Sequence, residues 1–265
     1  MINGPHGPFR LRAVSFLNTV PLVWGMLHGP QAAGVDLSFS IPSECARDIE
    51  NGACELGLVP VAEIARQGLQ IVSSVGIACR GPVRSILLFS RVPWQQIRTL
   101  AVDSSSRTSV ELARVILRER YGVVPVVTRH RPALASMLAH CDAALIIGDP
   151  ALLLDPEKLP YQSLDLGEEW FRLTGLPFVF AAWAGKPGVD TESLRELTRA
   201  SYQFGSAHME EIVEAEYTRR DISRELARRY LSDHIRFTLG PPEMNGLDAF
   251  LQMADLSSPV LTAKL

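Results

Sequence analysis

The chain has 265 residues, 47% of them hydrophobic and 21% charged, with a formal net charge of -3. This is a globular composition with enough chain for two modest domains around a real core. The slight negative charge, with no long basic run, excludes a nucleic-acid binder that works by phosphate contacts.

The N-terminal MINGPHGPFRLRAV has no apolar segment of signal-peptide length. The longest apolar stretch, LPFVFAAWAG, is too short to cross a bilayer as a helix, which takes about 20 residues. A soluble, cytoplasmic protein with no membrane partner is therefore expected. Cys45, Cys54, Cys79 and Cys141 show no CxxC spacing and read as reduced, packed thiols. The six histidines are scattered and lack an HExxH pattern, so neither a metal site nor a cofactor is expected.

In chain order, a strand at RLRAV (10–14) leads through the loop SFLNT into a helix at VPLVWGML (20–27). A strand VDLSFSI (35–41), a helix PSECARDIENG (42–52) and an apolar strand ELGLVPV (55–61) follow. The segment GIACRGPVRSILLFSR (76–91) reads as one long strand crossing to a second unit. That unit repeats the plan: strand TLAVD, loop SSSRT, helix SVELARVILRERYG, strand VPVVTR, helix RPALASMLAHC, strand AALIIGD. LPFVFAAWAG (176–185) reads as a second crossing, after which the pattern is helical over 193–217 and 221–235. The charged RELARRYL segment reads as a solvated amphipathic face.

Alternating strands and helices predict parallel sheets covered by helices. Runs such as LGLV and AALII fit strands buried on both faces. The expected architecture is a two-lobed α/β protein of the type II periplasmic-binding-protein-like kind, with two crossovers and an interlobe cleft. Lobe 1 is expected to hold residues 1–92 and 180–265, and lobe 2 residues 93–179. Ligands of open α/β sheets sit beyond the carboxyl ends of the strands, which here places them between the lobes.

The loops at those strand ends are rich in hydrogen-bond donors. In lobe 2, Ser105, Ser106, Arg107 and Thr108 precede a helix N-terminus, where free N–H groups attract anions. Arg107 adds a planar fork for a carboxylate. Thr108-x-x-Glu111 also has capping-box spacing, so Thr108 has a simple N-cap reading. A cation beside a helix N-terminus needs a compensating anion, and Asp103, Asp149 or a ligand are the options for Arg107. In lobe 1, Ser15, Asn18 and Thr19 stand at the equivalent place, and either Asn18 or Thr19 can serve as an ordinary cap ahead of Pro21. Ser85, in the first crossing, is expected near the cleft floor. Asp149, at the end of a buried strand, reads either as an acceptor that orients a ligand or as a partner of Arg107 or helix cap. Thr174 and Gly175 precede the second crossing, where glycine permits a tight turn. Glu168 and Trp170 are placed to cover the cleft, although Trp170 and Trp183 also read as packed core aromatics. Two donor walls and few acid-base groups suit a small ligand with more than one carboxylate.

Five segments in this order, SFLNTVPL, IPSECARDIENGACELGLVPVAEI, VDSSSRTSVELARVIL, AALIIGDPAL and LGEEWFRLTGLPFVFAAW, resemble the MqnA family. These are the chorismate dehydratases of the futalosine route to menaquinone. The resemblance spans roughly residues 12–250, ending in LGPPEMNGLDAF. It implies that the substrate is chorismate and the product 3-[(1-carboxyvinyl)oxy]benzoate. Phe16 stands where tyrosine is common in that family, and Glu55 where aspartate is common. A related enzyme, 1,4-dihydroxy-6-naphthoate synthase, carries an SPCPNDT-like first loop and a histidine nucleophile; SFLNTVP disfavours that assignment. A solute-binding protein for a small carboxylated ligand is the alternative from another class.

Asn18 is the residue expected to act in catalysis, by orienting the ring hydroxyl or a carboxylate. No histidine falls in a predicted cleft loop. The shortage of bases suggests that the substrate's own enolpyruvyl carboxylate takes the proton.

Overall fold

A computed structural model of the chain describes residues 7–103, 107–256 and 261–262. Its strands are β1 (Phe9–Val14), β2 (Val35–Ser40), β3 (Leu56–Pro60), β4 (Gln70–Cys79), β5 (Ile86–Ser90) and β6 (Thr99–Asp103). They continue with β7 (Val126–His130), β8 (Ala143–Ile147), β9 (Gln162–Asp165), β10 (Phe178–Gly185), β11 (Arg236–Thr238) and β12 (Leu261–Thr262). Two sheets result. The larger runs β11-β4-β10-β3-β1-β2, with β12 also on β4, and the smaller runs β7-β6-β8-β5-β9.

The repeated plan is present. β1, β2 and β3 pair in parallel, linked by the helices Val20–His28 and Pro42–Glu50. β6, β7 and β8 do the same through Thr108–Tyr121 and Leu134–His140. Every residue of β3, β5 and β8 is buried. Their continuous apolar runs are explained by helices on both faces.

The sheets are mixed rather than wholly parallel. β10 runs antiparallel to both β3 and β4, and β5 runs antiparallel to both β8 and β9. These are the strands that arrive from the other lobe. They enter without a right-handed helical crossover within their own sheet, so nothing forces them parallel.

Residues 76–91 are not one strand. The apolar run breaks after Cys79, where Gly81 (φ 100°) and Arg84 (φ 66°) take positive φ. Asp165 fixes the break by accepting the backbone N–H groups of Val83 (3.0 Å) and Arg84 (2.6 Å). The first change of sheet therefore falls between residues 79 and 86, ahead of the expected boundary at 92. The chain returns to the larger sheet at Phe178, and Thr191–Ala207, β11 and Pro241–Met253 then pack on the first lobe.

Candidate active site

The lobes meet around a cleft. Its walls are mainly apolar and include Val14, Phe16, Leu58, Ile77, Ile147 and Phe180. Its polar lining is Asn18, Thr19, Ser85, Arg107, Thr108 and Ser109. Among the described lining residues there is no carboxylate, imidazole, thiol or amine.

Asn18 and Thr19 sit on a 3-10 turn, Leu17–Thr19, between β1 and the helix Val20–His28. Neither side chain caps the helix that follows. The Thr19 hydroxyl and the Asn18 Oδ1 are buried without a hydrogen-bond partner among the described residues. Leaving a buried polar atom unpaired costs about 1–3 kcal/mol, and a ligand would relieve it. Arg107 Nε is in the same condition. Three unpaired polar groups from two lobes thus belong to residues lining one cleft.

Among the described residues the Asn18 side chain has one hydrogen-bond partner. Its Nδ2 donates to the Tyr230 hydroxyl at 2.9 Å, and that hydroxyl donates to Ser85 Oγ at 2.9 Å. Ser85 and Tyr230 are each 1% exposed. Burial pushes the Tyr230 phenol far above its usual range, so it stays protonated.

Other groups bind the lobes to each other. Thr108 is the first residue of its helix rather than the N-cap; the cap position is held by the Arg107 backbone, with no side-chain bond. The Thr108 hydroxyl instead accepts the backbone N–H of Ala62 at 3.2 Å, at the start of Val61–Gln67 in lobe 1. Glu111 is taken by Arg66 of lobe 1 at 2.6 Å, so the capping box does not form. The better partner for each side chain lies across the cleft, which local spacing cannot register.

Asp149 opens the short helix Asp149–Leu152 instead of ending a strand. It pairs not with Arg107 but with Arg220, and its Oδ1 accepts the backbone N–H of Leu17 at 3.0 Å. Burial raises its pKa, against the lowering effect of the Leu17 N–H and the Arg220 charge. Its role in this structure is to latch the Asn18 loop to lobe 2. Arg220 is also held by Glu216 at 2.8 Å.

The structure separates several expected residues from the cleft. Ser15 is exposed and is absent from the lining; its carbonyl accepts from Arg220 at 3.3 Å. The Thr174 hydroxyl donates to the Trp170 carbonyl (2.9 Å) and accepts from Leu176 N–H (3.1 Å), while Gly175 (φ 72°) ends the helix Leu166–Thr174. Both are helix-terminating groups outside the lining. Trp170 is fully buried, with Nε1 donating to the Pro177 carbonyl at 3.1 Å, and Trp183 is core. Glu168 is engaged by Arg172 at the surface. Ser105 and Ser106 lie outside the described residues.

Tyr230, Gly148 and Phe180 were not legible in the sequence. Tyr230 lies 212 residues from Asn18 in a segment that reads as an ordinary charged helix. Gly148, before Asp149 in IIGDPAL, carried the one available hint, a glycine at the end of a buried strand.

The family described as Menaquinone biosynthesis matches residues 9–255. Chorismate dehydratase of Thermus thermophilus is 29% identical over 271 residues, covering 94% of this chain and 96% of its own length. Among solved structures, protein AF1704 from Archaeoglobus fulgidus superposes with a TM-score of 0.77 at 16% identity, covering 94% of this chain and 97% of the other. The alkanesulfonate-binding protein SsuA from Xanthomonas axonopodis pv. citri does so with a TM-score of 0.68 at 12% identity, covering 97% and 98%. These likenesses establish the periplasmic-binding-protein-like fold.

Proposed function

The chain belongs to the menaquinone biosynthesis family, and on that premise we infer that it is a chorismate dehydratase, a hydro-lyase converting chorismate to 3-[(1-carboxyvinyl)oxy]benzoate. The observation that carries the mechanism is the lining of the cleft. Among the described residues it offers hydroxyls, one amide and one guanidinium, and no carboxylate, imidazole, thiol or amine.

Dehydration removes the ring proton at the ether-bearing carbon and expels the neighbouring hydroxyl. The charge that develops is conjugated with the ring carboxylate, and loss of hydroxide makes the ring aromatic. The site therefore has to hold one conformer and stabilise negative charge. In this reading Arg107 receives a carboxylate. Asn18, Thr19 and Ser85 orient the ring end. The enolpyruvyl carboxylate takes the ring proton and passes it to the departing hydroxide as water, so atoms balance without a protein base.

Four free, buried thiols suit a reducing compartment, and we place the protein in the cytoplasm. Among the described residues no helix is long and apolar enough to cross a membrane.

Incubating purified protein with chorismate and following products by chromatography and mass tests the reading. Loss of one water with the enolpyruvyl arm retained on an aromatic ring is the expected result. Chorismate that binds but stays intact would favour a solute-binding protein. Turnover of a late-pathway naphthoate precursor instead would favour the naphthoate synthase.

A further inference from the structure

We propose that Tyr230 is a positioning residue that sets the hydrogen-bond polarity of the cleft floor, so that Asn18 offers the substrate an acceptor and Ser85 offers it a donor. The proposal rests on the chorismate reading and adds to it the chemical complement the floor recognises: a ligand hydroxyl beside an anionic oxygen.

A phenol has a single proton to give. Here the Tyr230 proton goes to Ser85 Oγ, and the phenol oxygen accepts from Asn18 Nδ2, both at 2.9 Å. One Nδ2 N–H is held by Tyr230, which fixes the amide with Oδ1 turned away from the phenol, and Oδ1 is buried and unpaired among the described residues. With one lone pair of Ser85 taken by Tyr230, the Ser85 hydroxyl proton has no protein acceptor among the described residues. The relay is directional. If the phenol proton went to Asn18 instead, the amide would turn its N–H groups outward and Ser85 would be released to rotate.

The placement is built into the backbone. Tyr230 opens a π-helical turn, Tyr230–His234, that follows the helix Arg224–Arg229, and Ile235 N–H closes on the Tyr230 carbonyl at 3.2 Å. Such turns add a residue to the helical spacing and recur at functional sites. This one brings a fully buried phenol from the C-terminal part of the chain to a loop near its start and to the crossing segment that carries Ser85. The Tyr230 ring is packed in the core, so a phenylalanine retains the packing and removes only the relay.

Chorismate presents a ring hydroxyl, which donates to Asn18 Oδ1, and carboxylate oxygens, which accept from Ser85. The dehydrated product has lost that hydroxyl. The relay therefore discriminates between the two.

The test compares wild type, Tyr230→Phe, Ser85→Ala and the double variant in steady-state turnover of chorismate, with product inhibition measured alongside. Tyr230→Phe is expected to lower kcat ten- to a hundredfold, to weaken chorismate more than product, and to leave the far-ultraviolet circular dichroism unchanged. In the Ser85→Ala background the same change is expected to cost less than threefold, because the relay is already cut. If Tyr230→Phe does not fold, Ser85→Ala alone must reproduce the shift in the chorismate-to-product ratio. Full activity of Tyr230→Phe, or losses that multiply in the double variant, overturns the proposal. If Ser85→Ala has to stand alone, an unchanged ratio overturns it too. Absence of turnover in the wild type overturns the chorismate reading itself, and this proposal with it.

Discussion

Gly148 of the second lobe lies directly under the ring of Phe16 of the first. A Cβ placed on Gly148 would meet that ring at 2.7 Å, and the residue holds φ 65° with ψ -148°, a conformation open to glycine. The next residue, Asp149, binds Leu17 N–H, so two consecutive residues of lobe 2 clasp two consecutive residues of the Asn18 loop. The closed cleft depends on an absent side chain as much as on the ones present.

Gly148→Ala is expected to disfavour the closed arrangement. That pair of angles is essentially reserved to glycine and costs about 1–3 kcal/mol for another residue, and the ring contact adds to it. An apparent affinity for chorismate about tenfold weaker or more follows from the reduced closed population. Titration calorimetry measures the affinity, and small-angle scattering measures closure. Unchanged affinity would show that the clasp does not control binding.

Arg107→Lys keeps the charge but loses the fork. A point charge cannot form two parallel bonds to one carboxylate. KM for chorismate is expected to rise about tenfold with kcat changed less, because the contact is made before and during the reaction. A kcat loss at constant KM would instead place Arg107 on developing charge.

The pH dependence of turnover is expected to be shallow. None of the described histidines lines the cleft, and the carboxylates of the substrate stay ionised well below neutrality. kcat should be flat between about pH 6 and pH 9. A limb near the imidazole range, about 6.5, would show that a side chain acts as base and would remove the substrate-assisted step.

Asp142 governs a separate, stability-linked titration in lobe 2. Burial acts to raise its pKa, but the N–H groups of Arg98 and Thr99 and the Thr99 hydroxyl, each at 3.0 Å, hold it below its usual value. A lowered folded-state pKa gives stability that is present above the unfolded value, near 3.8, and is lost as pH falls through the folded one. Asp142→Ala is expected to cost about 1–2 kcal/mol at neutral pH. The gap from wild type should narrow below about pH 4. Urea unfolding at a series of pH values checks it, and a gap independent of pH would refute the linkage.

The fold was largely legible because its signals are local. The strands at RLRAV, ELGLVPV, TLAVD and AALII are apolar runs bounded by turn residues, and the repeated order of elements implied two lobes. Residues 76–91 misled because both halves are apolar and the break between them is fixed by Asp165, more than 70 residues later. The mixed sense of the sheets was illegible for a similar reason: strand direction depends on which lobe the chain has just left.

The site divides in the same way. The sequence by itself determined that Asn18, Thr19, Ser85 and Arg107 belong to one cleft, since each stands in a loop or crossing that the repeat delivers to the lobe interface. Only the tertiary structure decided what Thr108, Asp149 and Tyr230 do. Thr108 has capping-box spacing, yet its hydroxyl is claimed by Ala62; Asp149 is claimed by Leu17 and Arg220, and Tyr230 by Asn18 and Ser85. A buried polar group takes the partner that best satisfies it when water is excluded, and in a chain that crosses twice between lobes that partner is set by packing rather than by spacing.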